Sequence, residues 1–492
     1  MDFGVLEFGV ALLGVAVGIV FGAIPGMTAT MAVAVFLPIT YSFNTSAALY
    51  LLLGLYVGGI SGGLIPAILI NIPGTPSSIC TTFDGYPMAR RGEGERALKI
   101  GITASLIGGL ISLLCLALLT PLLAQLAINF GYVEKFLLIL FAMTVIAALS
   151  KGSMVKGVFA GFLGVLFSLV GQYSDNFKMR LAPESTKMVL GSGFQLLPVL
   201  IGLFAIAQML MEAENGMRHK QKSLSMDGKA PAGFSFLRDF KGQLVNLIRS
   251  SALGTLMGIL PGVGGSAASL LSYSQAKSWS KNPGKLGTGV PEGLIASEAA
   301  NNGLTGGALI PLLSLGIPGD STTAVLIGAF MLHGLQVGPL FITQNPTLWN
   351  SILFALLICN ILMFLLMFFQ IKFIAKVVNV PGARLYPIIV IMCIVGAYSI
   401  RSGNMFDVWC LVIFGLLAYF FHKIKLPVPP FLIGFILGSN LEYYFVKALS
   451  SKHTLLCFFQ SPIGWVIWAL ILLSVGYSFY DSRKAKKSNG CG

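Results

Sequence analysis

Charge is what this sequence has least of. Only 10% of its 492 residues are Asp, Glu, Lys or Arg, against roughly 25% in an ordinary soluble protein. A chain that is 55% hydrophobic and so poor in charge cannot cover itself with a solvated surface, and its main solvent is lipid. A soluble domain is excluded as well. The longest polar interval, Ala213–Gln243, is too short to enclose a core of its own. Cysteine is sparse: the seven residues (Cys80, Cys115, Cys359, Cys393, Cys410, Cys457 and Cys491) are odd in number, scattered and without a C-x-x-C pair. That excludes a disulfide framework and a thiolate metal site, and leaves packed thiols. No Walker A sequence and no HExxH occur, and the four histidines have no ligand spacing. ATP hydrolysis by this chain and zinc-protease chemistry are thereby excluded. The glycine-rich GVGGSA (Gly262–Ala267) lacks the flanking strands of a dinucleotide fingerprint.

What charge there is leans one way, to a formal net +14. Lys and Arg gather at Arg90, Arg91, Arg96 and Lys99, at Arg218, Lys220 and Lys222, and in the tail at Arg483, Lys484, Lys486 and Lys487. No basic stretch is interleaved with aromatics, as a single-strand nucleic-acid groove would be. Cytoplasmic loops facing anionic headgroups explain the excess. The start, MDFGVLEFGV, has no basic region before its apolar run, so the first segment is expected to stay as a helix rather than be cleaved.

About a dozen apolar stretches are long enough to span or to form a re-entrant half. The expected fold is an all-α polytopic membrane protein of about 10–14 transmembrane segments, some of them broken. The 58 glycines and 23 prolines mark the breaks. Four Pro-Gly pairs sit beside apolar runs: Pro25-Gly26, Pro73-Gly74, Pro261-Gly262 and Pro318-Gly319. Proline removes an N–H and clashes with the preceding turn, and glycine tolerates positive φ. Backbone groups freed in this way inside a membrane must be met by protein, water or ligand.

The breaks repeat. GAIPG, Gly62-Gly63, Pro66 and INIPGTPSS are followed by GILPG, Gly306-Gly307, Pro311 and LGIPGDST in the same order. Residues 1–212 are therefore read as a first membrane repeat, 213–243 as a basic cytoplasmic linker, 244–400 as a second repeat and 401–492 as C-terminal membrane helices with a basic tail. No Lys or Arg precedes the first break, whereas Arg218, Lys220, Lys222, Lys229, Arg238, Lys241 and Arg249 precede the second. By the positive-inside rule the repeats are expected to be inverted, which places a site at the midplane.

Lys and Arg are nearly absent from these motifs, so an anionic ligand would be held by half-helix N-termini and hydroxyls. The substrate-binding candidates are Asn71, Gly74, Thr75, Ser77 and Ser78 after the first break, and Gly319, Ser321, Thr322 and Thr323 after the second. The same hydroxyls also suit plain helix capping. Glu298, Asn301 and Asn302 are spaced i, i+3 and i+4 in a stretch of small residues, a hard-oxygen face suited to Na⁺ or a proton; an interfacial Glu at a helix end is the alternative. Asp320 is a second acid, for which capping competes. Asp84, Arg90 and Arg91 are read as part of a polar turn over Thr81–Gly94.

The chain resembles the TctA family, the large membrane subunit of tripartite tricarboxylate transporters. The resemblance rests on GAIPGMTATMAVAVFLPIT, on NIPGTPSSICTTFDGYPMARRGEGERAL, on EGLIASEAANNGLTGGALIPLLSLGIPGDSTTAVLIGAFMLHGLQVGP and, more weakly, on LPVPPFLIGFILGSNLEYY. It departs from the family pattern at Ser297, Asp320 and Val337. The resemblance implies cation-coupled uptake of small di- or tricarboxylates with Na⁺ or H⁺ as coupling ion and no other cofactor. It implies two partners, a small four-helix membrane subunit and a periplasmic solute-binding protein, at a bacterial inner membrane. A stand-alone channel or an intramembrane enzyme is the alternative class, although no acid cluster for catalysis is found.

Overall fold

The computed structural model describes residues 4–149, 154–172, 178–214, 233–374, 376, 385–399 and 403–489. Arg218, Lys220, Lys222 and Lys229 of the basic linker lie outside them.

In chain order the helices are α1 (Val5–Ala23), α2 (Ala29–Phe36), α3 (Thr45–Gly62), α4 (Leu64–Ile70), α5 (Thr81–Arg90), α6 (Gly94–Ile128), α7 (Tyr132–Leu149), α8 (Met154–Ser168), α9 (Lys187–Leu190), α10 (Leu196–Ile201), α11 (Ala207–Glu214), α12 (Phe236–Asp239), α13 (Leu244–Ile259), α14 (Gly264–Trp279), α15 (Pro291–Leu315), α16 (Ser321–Leu332), α17 (Phe341–Gln344), α18 (Pro346–Phe369), α19 (Ile371–Ile374), α20 (Tyr386–Ser399), α21 (Met405–Lys423), α22 (Val428–Lys452) and α23 (Pro462–Asn489). Among the described residues six helical stretches are long and apolar enough to cross a membrane alone, and six shorter apolar helices join them. This is an all-α polytopic membrane protein. Among the described residues the strands are a two-residue antiparallel ladder, Gly171–Gln172 with Met179–Arg180.

The helices form two bodies. One comprises Met1–Ala124 and Gln208–Gly396, the other Gln125–Ala207 and Ala397–Gly492. In the second body α8 packs on α22, α7 on α22 and α23, and α10 on α21. Glycines on both faces permit the α8–α22 contact: a Cβ on Gly164 would stand 2.8 Å from Phe435 N. The Phe167, Phe414 and Phe431 rings fill the space beside it.

The first body holds every candidate residue, and its core is two helix pairs built alike. In α1 and α3, glycines recur every fourth residue (Gly14, Gly18, Gly22 and Gly54, Gly58, Gly62) on the facing stripes. A Cβ on Gly18 would sit 2.6 Å from the Leu55 carbonyl oxygen, and one on Gly62 2.5 Å from that of Ile19. In α13 and α15, Gly254, Gly258, Gly303 and Gly307 do the same, and a Cβ on Gly303 would sit 2.7 Å from the Ser251 carbonyl oxygen. Small residues that let backbones touch are how helices adhere in lipid, where hydrophobicity supplies no drive.

The breaks fall where proline and glycine stand. α1 gives way at Ile24 and α13 at Leu260, while Gly26 and Gly262 take positive φ. α4 ends on left-handed Asn71 and α15 on left-handed Gly316. In both, the next N–H reaches back six residues, Ile72 to Pro66 and Ile317 to Pro311. Such a C-cap satisfies carbonyls at a helix end. Asn71 thus does in the first half what glycine does in the second. Pro66 and Pro311 themselves interrupt nothing and lie inside α4 and α15.

Two local readings change. Thr81–Gly94 is not a polar turn: Thr81–Arg90 is helix α5, with Asp84 fully buried. Polarity misled there because Asp84 faces protein rather than water. The short apolar run at Ala308–Leu315 is the end of α15, a buried helix of 25 residues that also carries Glu298, Asn301 and Asn302. Outside the membrane-spanning helices, Asp239 fastens the end of the basic linker to Arg96, N–O 2.7 Å. Burial pushes the Asp239 carboxyl up, but the Arg96 and Arg238 guanidiniums and the Ser235 N–H outweigh it and hold it at about 2.

Candidate functional site

Each half offers a loop at its second break. In the first half Gly74 N–H donates to the Gly63 carbonyl at 3.2 Å, which folds the loop back on α3. Thr75, Ser77 and Ser78 follow, all buried. Their hydroxyls bond one another: Thr75 Oγ1 lies 3.0 Å from Ser77 Oγ and 3.1 Å from Ser78 Oγ. They cap no helix, because Pro76 opens only a 3-10 turn, Pro76–Ser78, before α5 begins at Thr81.

In the second half Asp320 is a true N-cap. Its Oδ1 accepts the Thr323 N–H at 2.7 Å, and Thr323 Oγ1 accepts the Asp320 N–H at 2.9 Å. This reciprocal pair closes the first turn of α16. The other Asp320 oxygen accepts the Tyr56 hydroxyl at 2.8 Å. Thr322 Oγ1 meets Thr30 Oγ1 at 2.7 Å. Ser321 is only partly buried.

The loops lie against opposite halves. The Asp320–Thr322 loop touches α2 and α3 of the first half through Thr30 and Tyr56. The Pro76–Ser78 turn packs on α14 of the second half. A Cβ on Gly265, at the start of α14, would lie 2.5 Å from Ser77 Cβ. The long helices meet as well, where Ser61 Oγ donates to Asn302 Oδ1 at 2.6 Å.

Glu298 is completely buried. Thr81 Oγ1 of α5 donates to its Oε1, and Ser105 Oγ of α6 donates to its Oε2 at 3.1 Å. Among the described residues no Lys or Arg pairs with it. A charged residue at mid-membrane costs about 2.5–3.5 kcal/mol on insertion scales. These side-chain hydrogen bonds offset that cost only in part.

The Asn pair reaches beyond the Glu298 face as well. Asn302 turns to Ser61, and Asn301 Nδ2 reaches the Ile60 carbonyl at 3.5 Å. Asn301 Oδ1 is buried without a hydrogen-bond partner. The Asn301 side chain also hydrogen-bonds the Glu298 carboxyl, whose other partners come from α5 and α6. Asn71 is exposed at its cap position, apart from these networks. Sequence reasoning missed Thr30, Tyr56, Ser61, Thr81 and Ser105. The available signal was a hydroxyl inside an otherwise apolar buried run, which needs a partner, but the partners are distant in sequence.

A membrane body made of two similar halves, each broken beside a hydroxyl-rich loop and sharing a buried acid, is a construction that transporters use. Comparison with known proteins agrees. Residues 8–433 match the tripartite tricarboxylate transporter TctA family, and the chain belongs to that family. An uncharacterized 52.8 kDa protein in the TAR-I ttuC' 3'region of Agrobacterium vitis is 34% identical over 476 residues, 96% of this chain and 93% of the relative. An uncharacterized protein in the TAR-II ttuC' 3'region of the same organism is 37% identical over 235 residues, 48% of this chain and 97% of the relative. No solved structure matches.

Proposed function

We propose that this chain is the translocating subunit of a cation-coupled secondary transporter for small di- and tricarboxylates. It works with a small membrane subunit and a periplasmic solute-binding protein in a bacterial inner membrane, and it is not an enzyme. One observation supports the reading most: the fully buried Glu298 is hydrogen-bonded by the Thr81 and Ser105 hydroxyls and, among the described residues, is paired with no basic one. Its protonation or cation loading is the coupling event in this reading. The Thr75–Ser78 and Gly319–Thr323 loops supply N–H and hydroxyl donors to the substrate carboxylates. Asn301 Oδ1, buried and unpartnered, adds an acceptor beside Ser77.

Reconstitution tests this directly. Vesicles holding the chain, its small membrane partner and the binding protein should accumulate carboxylate against its gradient, and collapsing the Na⁺ and H⁺ gradients should end accumulation. High-affinity uptake by this chain alone would overturn the need for partners. Accumulation indifferent to both gradients would overturn the coupling.

The halves are also proposed to be inverted. Single cysteines at Val5, the first residue of α1, and at Gly242, just before the matching helix α13, should label from opposite sides of the membrane in a cysteine-free background. Labelling from one side would make the repeat parallel.

A further inference from the structure

Asp84 accepts four hydrogen bonds from the other half, and the transport reading does not use it. Its carboxylate is fully buried. Oδ1 accepts three backbone N–H groups from the other half: Gly287 at 3.0 Å, Gly289 at 2.8 Å and Val290 at 3.0 Å. Oδ2 accepts the Tyr273 hydroxyl at 2.9 Å. Gly287 and Gly289 both take positive φ, 95° and 97°, which turns successive N–H groups inward as an anion nest. Arg91, two turns along α5, closes the same loop from outside by donating to the carbonyls of Thr288 (2.5 Å) and Gly289.

Two consequences meet at one place. Val290 is the N-cap of α15 and Pro291 its first residue, and Val290 itself has no side-chain cap. The Asp84 carboxylate therefore lies at the positive end of the helix that carries Glu298, where an anion is stabilising. Asp84 also stands three residues after Thr81 on α5, on the same face. Thr81 is the residue whose hydroxyl donates to Glu298. One carboxylate thus fixes both the helix that bears the acid and the helix that bears its donor. Room for it depends on Gly293, where a Cβ would run into Asp84 Oδ2.

We propose that Asp84 is a positioning residue for the coupling site: by filling the Gly287–Val290 nest it clamps α5 onto the start of α15 and sets the Thr81–Glu298 hydrogen bond. The proposal rests on Glu298 being the coupling acid. Loss of the clamp lets Thr81 drift from Glu298 and weakens cation loading without removing the substrate loops.

The test is vesicle uptake of a labelled tricarboxylate by the reconstituted three-component complex, with Na⁺ and H⁺ varied separately, read as the cation concentration for half-maximal rate and as the maximal rate. Asp84→Asn keeps the shape and one acceptor but loses the charge. It should raise half-saturating cation about tenfold, the scale of one charge-assisted hydrogen bond, with the maximal rate within about twofold. Thr81→Ala should give a similar rise. The double variant should be no worse than the more affected single one, because both act on one bond. An additive double variant, or a fall in maximal rate with unchanged cation dependence, would overturn the proposal. Should Asp84→Asn fail to fold, Tyr273→Phe decides, since it removes one of the four donors. A rise of about two- to threefold supports the clamp, and no rise overturns it. Glu298→Gln is measured beside them. If it abolishes coupling while the Asp84 and Tyr273 variants leave cation dependence untouched, the clamp fails and the coupling role stands. If Glu298→Gln keeps wild-type cation dependence, the coupling role fails and the clamp with it.

Discussion

Glu298→Gln is expected to leave a folded protein that no longer drives uptake from a cation gradient. The amide is nearly isosteric with the carboxyl, and its oxygen can still accept from Thr81 or Ser105. Its NH₂ group faces a less favourable position, and that cost is small beside the gain from removing a chargeable group from a site with no basic partner. A buried acid without a counter-ion weighs against folding whenever it ionises, so the neutral variant should melt no lower than the wild type. Function goes the other way. Glutamine carries no proton and no negative charge, so it cannot exchange a proton or neutralise a cation. Gradient-driven accumulation should fall at least a hundredfold, about 2.7 kcal/mol of lost coupling, while downhill equilibration of substrate persists. Wild-type accumulation with unchanged ion dependence would remove Glu298 from the coupling site. Asp320→Asn is not an equivalent experiment. Asp320 caps α16 and holds Tyr56, so its replacement perturbs the loop itself.

The second large effect concerns the scaffold. Gly18→Val should abolish recovery of monodisperse protein, whereas Gly9→Val on the same helix should not. At Gly18 the added Cβ would lie 2.6 Å from Leu55 O and 2.8 Å from Gly59 N. Both atoms are backbone, so no rotamer change relieves the clash, and α1 and α3 must separate along their glycine seam. Overpacking a core costs typically about 1–3 kcal/mol where side chains can yield. A backbone-to-backbone clash should exceed that range. At Gly9 the same Cβ meets nothing within 4 Å. Gly303→Val repeats the test in α15, where the Cβ would lie 2.7 Å from Ser251 O. Size-exclusion profiles and melting temperatures in detergent read the result. A stable, monodisperse Gly18→Val protein would mean that the close α1–α3 contact does not hold the fold. Both seams lie directly behind the breaks: the Gly74 and Gly319 loops rest on the carbonyls of Gly22 and Gly258. The glycine pattern therefore positions the candidate site as well as the helices.

The membrane class, the helical fold and the four breaks were legible in the sequence, because each follows from local chemistry. Low charge forces burial in lipid, and Pro-Gly stops a helix wherever it stands. The family was legible for a similar reason, since blocks such as DGYPMARRG and EAANN are contiguous. Asp320 as a cap could also be anticipated, because its partner Thr323 is three residues away.

Tertiary structure alone decided what the buried acids touch. Glu298 and Thr81 are 217 residues apart, Glu298 and Ser105 193, and Asp320 and Tyr56 264. Nothing in the local pattern of one residue names a partner at such a distance. Asp84 is the clearest case. Read along the chain, it is an acid among arginines and glycines, which suits a solvated turn. In the fold it is buried, because three N–H groups of a distant glycine-rich loop converge on it and replace the water that a carboxylate would otherwise require.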